Sequence, residues 1–202
     1  MQENSKELLL IFTRNPEPGK VKTRIAKEIG EEKALEIYKF LLKKTLSVTK
    51  YLRVKKEVCY SEEIKENDIW PGEIFRKSLQ KGKDLGERME NAFEKGFQDG
   101  FQKIIIIGSD LYDLEKADLE LAFQKLEKND FVIGPAEDGG YYLVGMKSFF
   151  PKVFRKKSWG TSSVLKDTLD DLKEHKIAFL EERNDVDNFD DIKMHPDFQK
   201  FF

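Results

Sequence analysis

A loop rich in lysine and arginine, residues 12–24, holds the side chains whose types and spacing most clearly suggest chemistry. It follows the apolar run at residues 8–11 and leads into a helical pattern, so we place it between a buried strand and a helix N-terminus. Free backbone N–H groups and the helix dipole favour anions at such a position. The loop is a candidate phosphate-binding site, with a solvated basic turn as the simpler alternative. Its candidate ligands are Arg14, Gly19, Lys20, Lys22 and Arg24.

Two common phosphate-binding motifs do not fit this loop. A Walker A motif needs a glycine where Arg14 stands and a serine or threonine where Val21 stands. The glycine fingerprint of Rossmann cofactor domains is also missing after the first strand. Any phosphate binding must therefore rest on the cations and on the helix N-terminus.

Carboxylates at two later positions are candidate metal ligands. Asp110 follows a run of four isoleucines, and a carboxylate at the end of a central strand is costly unless it binds a cation or accepts N–H bonds. The pair Asp185 and Asp187 offers the hard oxygen ligands that Mg²⁺ or Mn²⁺ takes beside substrate phosphates. A helix cap at Asp110 and a surface acidic turn at the pair are the structural alternatives.

Two further segments suggest binding of a second substrate. Carboxylates, glycines and tyrosines are adjacent at residues 137–142, where the backbone could approach a ligand and the tyrosines could supply hydroxyls or a stacking face. A hairpin turn is equally compatible. Residues 159–161 could add an aromatic wall, or a helix cap at Thr161. The candidate acceptor-binding residues are Glu137, Asp138, Gly139, Gly140, Tyr141, Trp159 and Thr161.

The elements that must position these residues alternate between strands and helices. Apolar runs predict strands near residues 8–13, 54–60, 74–79, 103–108, 131–134, 141–146 and 177–180. Helical spacing predicts helices at 23–50 with a break at Gly30, around 89–97, at 115–128, at 162–175, and a short one after the late acidic stretch. This alternation predicts a mostly parallel sheet covered on both sides, with ligands beyond the carboxyl ends of its strands. The three polar clusters should therefore converge.

Composition limits the class of protein. At 202 residues we expect one domain, spanning 1–202. The 36 lysines and arginines nearly balance 38 aspartates and glutamates, so no global field favours nucleic acid or an anionic membrane. Cys59 is the only cysteine, no segment is long enough to span a membrane, and the polar residues 1–6 precede too short an apolar run for an export signal. We expect a soluble cytoplasmic protein, for which a homodimer is compatible with the sequence.

Six motifs taken in order resemble one family, the small bacterial GT-A-like glycosyltransferases associated with arsenosugar biosynthesis. This family lies within the nucleotide-diphospho-sugar transferase superfamily, and the resemblance spans nearly the whole chain. The motifs are residues 12–24, 84–89, 107–110, 134–142, 159–161 and 185–187.

The resemblance implies an α/β fold, a three-layer αβα Rossmann-like sandwich with a mixed, mainly parallel sheet. It implies a nucleotide substrate and a Mg²⁺ or Mn²⁺ cofactor. Residues matching the family's functional positions are Arg14, Lys22 and Arg24 for phosphates, Gln80, Gly82 and Gly86 for the nucleobase, and Asp110 and Asp187 for the metal. Two positions depart from the family pattern, which usually has Cys-Pro where Leu111-Tyr112 stands and Thr where Asn188 stands.

These observations predict a Mg²⁺-dependent transferase that passes a sugar from a nucleotide-diphospho-sugar to a small-molecule acceptor. Lys22 and Arg24 would neutralise the diphosphate as charge develops on it, and Asp138 would orient or deprotonate the acceptor hydroxyl. Two alternatives stay open. The same site could join a nucleoside triphosphate to a sugar phosphate or phosphorylated acid, or the protein could bind nucleotide-sugars without catalysis.

Overall fold

A computed structural model describes residues 6–202, in which strands and helices alternate. The strands are β1 Glu7–Thr13, β2 Lys55–Tyr60, β3 Arg76–Leu79, β4 Lys103–Gly108, β5 Phe131–Pro135, β6 Tyr141–Met146 and β7 Ile177–Phe179. The α-helices are α1 Thr23–Ile29, α2 Glu31–Thr49, α3 Leu85–Gln98, α4 Lys116–Lys125, α5 Val164–Asp171 and α6 Phe189–Ile192. Short 3₁₀ helices cover Pro151–Phe154 and Pro196–Phe201.

The strands form one mixed sheet in the order β3-β2-β1-β4-β6-β5-β7. Within the described residues, β6 alone runs antiparallel, and it pairs with both β4 and β5. The remaining strand pairs are parallel. The predicted mixed, mainly parallel sheet is confirmed, and the four-isoleucine strand β4 lies at its centre.

Helices cover both faces of the sheet, and the side chains of β1 alternate between the two cores that result. Leu9 and Ile11 pack in one core with residues of α2 and α4. Leu8 and Leu10 pack in the other with residues of α3 and of the 3₁₀ helix at 151–154. A strand that is buried on both faces requires this arrangement. The predicted three-layer sandwich is therefore confirmed.

Element boundaries differ from the predictions mainly in α5. The helix covers Val164–Asp171 instead of residues 162–175. The Thr161 hydroxyl donates to the Ser158 carbonyl oxygen at 2.7 Å, so the prediction that it caps this helix is wrong. The break between α1 and α2 lies at Gly30, whose positive φ of 90° ends one helix and begins the next, as predicted.

Among residues 6–202, no helix combines the length and the apolar composition that a membrane crossing requires. The polar start of the chain, on which the expectation of no export signal partly rests, lies at residues 1–5 and outside the described range.

Candidate active site

The candidate site residues gather at one edge of the sheet. The basic loop follows β1, Asp110 follows β4, and the segment with Asp185 and Asp187 follows β7. Because β6 is antiparallel, its first residues lie at the edge where the parallel strands end. The connection between β5 and β6 is a hairpin turn, in which the Gly139 N–H donates to the Ala136 carbonyl oxygen at 3.0 Å. The hairpin alternative is thus correct, and it still brings residues 137–142 to the shared edge.

Lys22 joins three of these segments through its ammonium group. Its Nζ lies 2.8 Å from Oδ2 of Asp110 and 3.6 Å from Oδ1 of Asp187, and its side chain is only 4% exposed. Lys22 is also the N-cap residue of α1, with a left-handed backbone at φ 47° and ψ 44°. This conformation costs a residue with a Cβ about 1 kcal/mol. The fold therefore accepts a strained turn at the residue whose side chain lies between the two carboxylates.

Mutual attraction keeps this central pair charged. Burial opposes ionisation of Asp110, but the Lys22 ammonium outweighs it and lowers the pKa of Asp110, with a further contribution from Arg14. Burial likewise opposes the charge of Lys22, yet the Asp110 carboxylate raises the pKa of Lys22 above its ordinary value. At neutral pH the site holds an ammonium and a carboxylate in direct contact.

Asp185 experiences the opposite effect. Burial and the neighbouring Asp110 carboxylate raise the pKa of Asp185 to about 7, although Lys22 opposes the shift. The carboxylates of Asp138 and Asp187 add to the same repulsion. Four carboxyl groups therefore share one electrostatic environment with a single buried ammonium, an arrangement that attracts a cation.

The donor set at this edge fits a hard divalent cation. Oxygens of Asp110 and Asp187 both approach one cationic atom, the Nζ of Lys22. Across residues 6–202, no group of three or more His, Cys, Asp or Glu side chains is arranged to hold a metal ion by itself. Mg²⁺ usually takes one or two carboxylates and completes its coordination with waters and substrate phosphates. The carboxylates present suit that mode of binding.

The other cations of the basic loop differ in their availability. Arg24 donates from Nη1 to Oδ2 of Asp187 at 2.7 Å, and its side chain is 63% exposed. Arg14 is exposed and, within the described chain, forms no ion pair with a carboxylate. Lys20 instead pairs with Glu17 and Glu62 on the outer side of the loop. The ion-pair partners of Lys20 are therefore not members of the carboxylate cluster around Asp110.

Two buried polar residues hold the basic loop in place, and sequence reasoning missed both. The Tyr38 hydroxyl accepts from the Arg14 backbone N–H at 2.9 Å and contacts the hydroxyls of Thr13 and Ser109. The Asn15 side chain, in a residue 2% exposed, donates to the Glu63 carbonyl and accepts from the neighbouring backbone N–H groups. These contacts fix the loop to α2, to β4 and to the segment after β2.

The late acidic segment is positioned by Asp191, which sequence reasoning also missed. Oδ2 of Asp191 accepts the backbone N–H groups of Asp187 at 2.9 Å and Asn188 at 2.7 Å, and Oδ1 accepts from the Asn184 side chain. Asn188 is the N-cap residue of α6. Asn and Thr both cap helices, so the departure from the family pattern preserves this role. The Asn-x-x-Asp spacing is the signal that could have identified the cap.

The second departure from the family pattern, Leu111-Tyr112, consists of two side chains that take part in packing. Leu111 is buried in the core on the α2 and α4 face. Tyr112 packs against Phe40 and Phe198, and its hydroxyl hydrogen-bonds Asp197. Both side chains are therefore directed into packed clusters.

A pocket of about 230 Å³ lies beside the carboxylates. The side of the pocket formed by Trp159 and Tyr141 is aromatic, with ring centroids 6.4 Å apart and planes at 90°. Its lining residues are Phe12, Leu85, Met89, Ile106, Ile107, Gly108, Asp138, Gly140, Tyr141, Tyr142, Trp159, Gly160, Thr161, Val164 and Asp185. Of the predicted acceptor-binding residues, Asp138, Gly140, Tyr141, Trp159 and Thr161 line it.

Other predicted acceptor features lie outside this pocket. Glu137 is exposed and does not line it, and Gly139 packs so closely that a Cβ there would lie 2.3 Å from the Ser162 carbonyl oxygen. The Tyr142 hydroxyl donates to the Glu181 carbonyl at 3.0 Å, while the Tyr141 hydroxyl is buried away from solvent. Of the two roles considered for the tyrosines, the placement of their hydroxyls favours the stacking face.

The predicted nucleobase loop serves the fold at each of its three chosen residues. The Gln80 side-chain amide donates to the carbonyl oxygens of Thr13 and Cys59, joining the ends of β1 and β2. Gly82 has φ 146°, and a Cβ at this position would lie 2.6 Å from a backbone nitrogen. A Cβ at Gly86 would lie 2.4 Å from Nε1 of Trp159. Contact of these residues with a nucleobase stays a prediction.

A larger surface depression of about 480 Å³ lies away from this edge, near α5. Several of its charges are paired within the fold, since Lys152 and Lys157 both contact Asp171 and Arg155 contacts Glu90. We therefore place the candidate active site at the smaller pocket, where the carboxylates and the basic loop meet.

Comparisons with known proteins agree with this fold. A family model described as "Uncharacterized protein conserved in bacteria (DUF2064)" matches residues 45–161. A crystal structure from Desulfovibrio desulfuricans G20, provisionally described as a nucleotide-diphospho-sugar transferase, is similar at 34% identity and a TM-score of 0.83, over 91% of this chain and 83% of that chain. No curated protein matches the sequence.

More distant structures share the fold alone. A 4-diphosphocytidyl-2C-methyl-D-erythritol synthase from Anaerococcus prevotii DSM 20548 is similar at 10% identity and a TM-score of 0.59, over 93% of this chain and 94% of that chain. A complex of Rv0371C with manganese from Mycobacterium tuberculosis H37Rv is similar at 12% identity and a TM-score of 0.58, over 93% of this chain and 96% of that chain.

Proposed function

This chain belongs to the DUF2064 family, and on that premise we propose that it is a transferase that moves a sugar from a nucleotide-diphospho-sugar to a small acceptor, with Mg²⁺ or Mn²⁺ as cofactor. The relative with 34% identity carries a description of this kind, and the fold is that of the nucleotide-diphospho-sugar transferases. The arsenosugar-associated subtype remains part of the proposal, suggested by the motif resemblance.

The observation that carries the proposal is the meeting of Lys22 with Asp110 and Asp187 at the sheet edge. A nucleotide diphosphate needs cations for its phosphates, and a bound divalent ion needs carboxylate oxygens. The site offers both within a few ångströms, and it adds a pocket that could hold the molecule receiving the sugar.

In glycosyl transfer, the bond between the sugar C1 and the diphosphate oxygen breaks, and the acceptor oxygen forms a new bond to C1. Negative charge grows on the leaving phosphate, where Lys22, Arg24 and Arg14 would stabilise it. A divalent ion held by Asp110 and Asp187 would supply further charge neutralisation. Lys22 and Arg24 would each exchange a carboxylate partner for phosphate oxygens.

Asp138 is the proposed base for the acceptor hydroxyl. Its Oδ1 accepts the Gly140 backbone N–H at 2.8 Å, which orients the carboxylate at the rim of the pocket. In the described part of the chain, the other oxygen has no hydrogen-bond partner. That oxygen can accept the acceptor proton as the new bond to C1 forms.

A thermal-shift panel of nucleoside triphosphates and nucleotide-diphospho-sugars, with and without Mg²⁺, tests the proposal, because a ligand that binds only the native state raises its melting temperature. We expect a nucleotide-diphospho-sugar to stabilise the protein in a metal-dependent manner. The Asp110→Asn variant should lose the metal-dependent part of the shift in melting temperature. Asp113→Asn, an exposed carboxylate in the same segment, is the matched control.

Product analysis with the stabilising nucleotide separates the three functions. Release of free nucleoside diphosphate supports glycosyl transfer. Release of pyrophosphate from a nucleoside triphosphate in the presence of a phosphorylated acceptor would contradict glycosyl transfer and support nucleotidyl transfer. Metal-dependent binding without turnover would indicate a non-catalytic nucleotide-sugar binder, and no nucleotide-induced shift would contradict nucleotide binding itself.

A further inference from the structure

We propose that the pocket beside the carboxylates selects an acceptor that is uncharged or cationic at the end that enters, and that presents an apolar face to Trp159. This inference rests on the proposed function, because only that function makes the ligand of this pocket an acceptor. The pocket should also disfavour a ligand that places a phosphate or carboxylate group there.

The charges of the pocket are the first argument. Of its lining residues, two carry ionisable acidic groups, Asp138 and Asp185, and none is Lys, Arg or His. The cations Arg14, Lys22 and Arg24 of the basic loop are not among the residues that line this pocket. An ionised carboxylate repels an anion, and in a pocket partly shielded from water this repulsion is strengthened.

The shape and chemistry of the walls are the second argument. Apart from the glycines and the two aspartates, nine of the lining residues are apolar or aromatic. The remaining one is Thr161, whose hydroxyl already donates to the Ser158 carbonyl oxygen. Trp159 and Tyr141 meet edge to face, which leaves a ring surface for stacking. An aromatic face also attracts a cation placed over it. The pocket therefore suits a molecule with one apolar face and hydroxyl or ammonium donors.

Contacts within the fold hold the aromatic wall of the pocket and the carboxylate at its rim in place. The indole of Trp159 lies directly against Gly86, where an added Cβ would be 2.4 Å from Nε1. Asp138 is held by the Gly140 N–H at 2.8 Å. The aromatic wall and the carboxylate rim are thus fixed before any ligand enters, as selective recognition requires.

Three small probes that differ mainly in charge test the inference on the 202-residue chain without nucleotide. The probes are benzylamine, benzyl alcohol and benzyl phosphate at equal ionic strength and pH 7.5. Binding is followed by tryptophan fluorescence, because Trp159 lines the pocket while Trp70 is buried in the opposite core and gives a constant background. We expect benzylamine to bind at least about tenfold more tightly than benzyl phosphate, with benzyl alcohol between them.

Variants place this discrimination at the pocket. Asp138→Asn should narrow the ratio between benzylamine and benzyl phosphate several-fold. Glu182→Gln removes an exposed carboxylate near Asp185 in sequence and should leave the ratio unchanged. Equal or tighter binding of benzyl phosphate by the unmodified protein would overturn the inference. A ratio that Asp138→Asn does not alter would overturn its assignment to this pocket.

The outcome is separate from that of the proposed function. Probe binding is measured without nucleotide or metal, so the charge preference can fail while nucleotide-diphospho-sugars still stabilise the protein. Conversely, the preference can hold in a protein that no nucleotide stabilises, in which case the pocket binds a cationic or neutral molecule for another purpose.

Discussion

Replacing Lys22 with methionine should remove the ammonium that neutralises Asp110, so that the stability of the protein comes to depend on an added cation. The change removes the ammonium but keeps an unbranched side chain, and it leaves the cost of the left-handed backbone at this position unaltered. Asp110 loses its partner at 2.8 Å, whereas Asp187 retains Arg24 at 2.7 Å. The main effect is therefore one uncompensated carboxylate at Asp110.

The expected loss of stability follows from the burial of this pair. Breaking a buried ion pair by removing one partner costs about 3–5 kcal/mol. The Asp110 side chain is 38% exposed, so water compensates part of the loss, and we expect about 1–3 kcal/mol at pH 7. For a domain of this size, 2 kcal/mol lowers the melting temperature by about 4–8 °C.

The loss should depend on pH in a defined direction. The folded state lowers the pKa of Asp110, mainly through Lys22 acting against burial, so the pair stabilises the fold above the unfolded pKa of about 4. As the pH falls through the folded pKa, Asp110 becomes protonated and the contribution disappears. The difference between Lys22→Met and the unmodified protein should therefore close in acid.

Urea unfolding with and without Mn²⁺ measures both effects. Without the ammonium between them, Asp110 and Asp187 should bind a divalent cation more readily, and an ion at 100 times its dissociation constant restores about 2.7 kcal/mol. The control is Lys20→Met in the same loop, whose exposed ion pairs predict little loss of stability and no added metal response. Equal stability and an equal Mn²⁺ response in the Lys22 variant and the unmodified protein would refute the reasoning.

Three further changes probe the surroundings of the site. Gly86→Ala should destabilise the fold by about 1–3 kcal/mol in urea, because its Cβ would collide with Trp159, whereas a gain in stability would show that helix propensity dominates. Asp191→Ala should cost about 1 kcal/mol and weaken metal-dependent nucleotide binding, since the loop carrying Asp187 loses its backbone contacts, and an unchanged nucleotide affinity would contradict this positioning role. In metal-free buffer, burial and Asp110 raise the folded pKa of Asp185 to about 7, so the folded state holds an extra proton above pH 4 and stability should fall as the pH rises towards 7. Asp185→Asn should flatten that pH profile, and an unaltered profile would assign the titration to another group.

The sequence predicted the frame of this protein because hydrophobic periodicity reports burial directly. The isoleucines of β4 indicated a central strand, and Gly30 indicated the break between α1 and α2, both of which the structure has. Helix ends were less well predicted, as in α5, because short-range propensity does not show where packing on the neighbouring elements stops. The antiparallel direction of β6 could not be predicted either, because an apolar run that is buried on both faces does not indicate strand direction.

The candidate site was predictable in its location but not in its pairing. Asp110, Asp187 and the basic loop converge because parallel strands end at one edge. That Lys22 lies between the two carboxylates depends on a left-handed turn at a lysine, which sequence statistics do not favour. Tyr38 and Asn15 escaped notice because their polar groups are buried by partners from distant segments, and no local signal marks such contacts.

The central position of β4 has a consequence during synthesis of the chain. One edge of this strand pairs with β1, which the ribosome has already released, but the other edge pairs with β6, which emerges only after α4 and β5. Until then, an uncovered edge of consecutive isoleucines is available to other nascent chains, the kind of surface that promotes aggregation and recruits chaperones. The central strand of the finished sheet is thus prone to aggregation in the unfinished polypeptide.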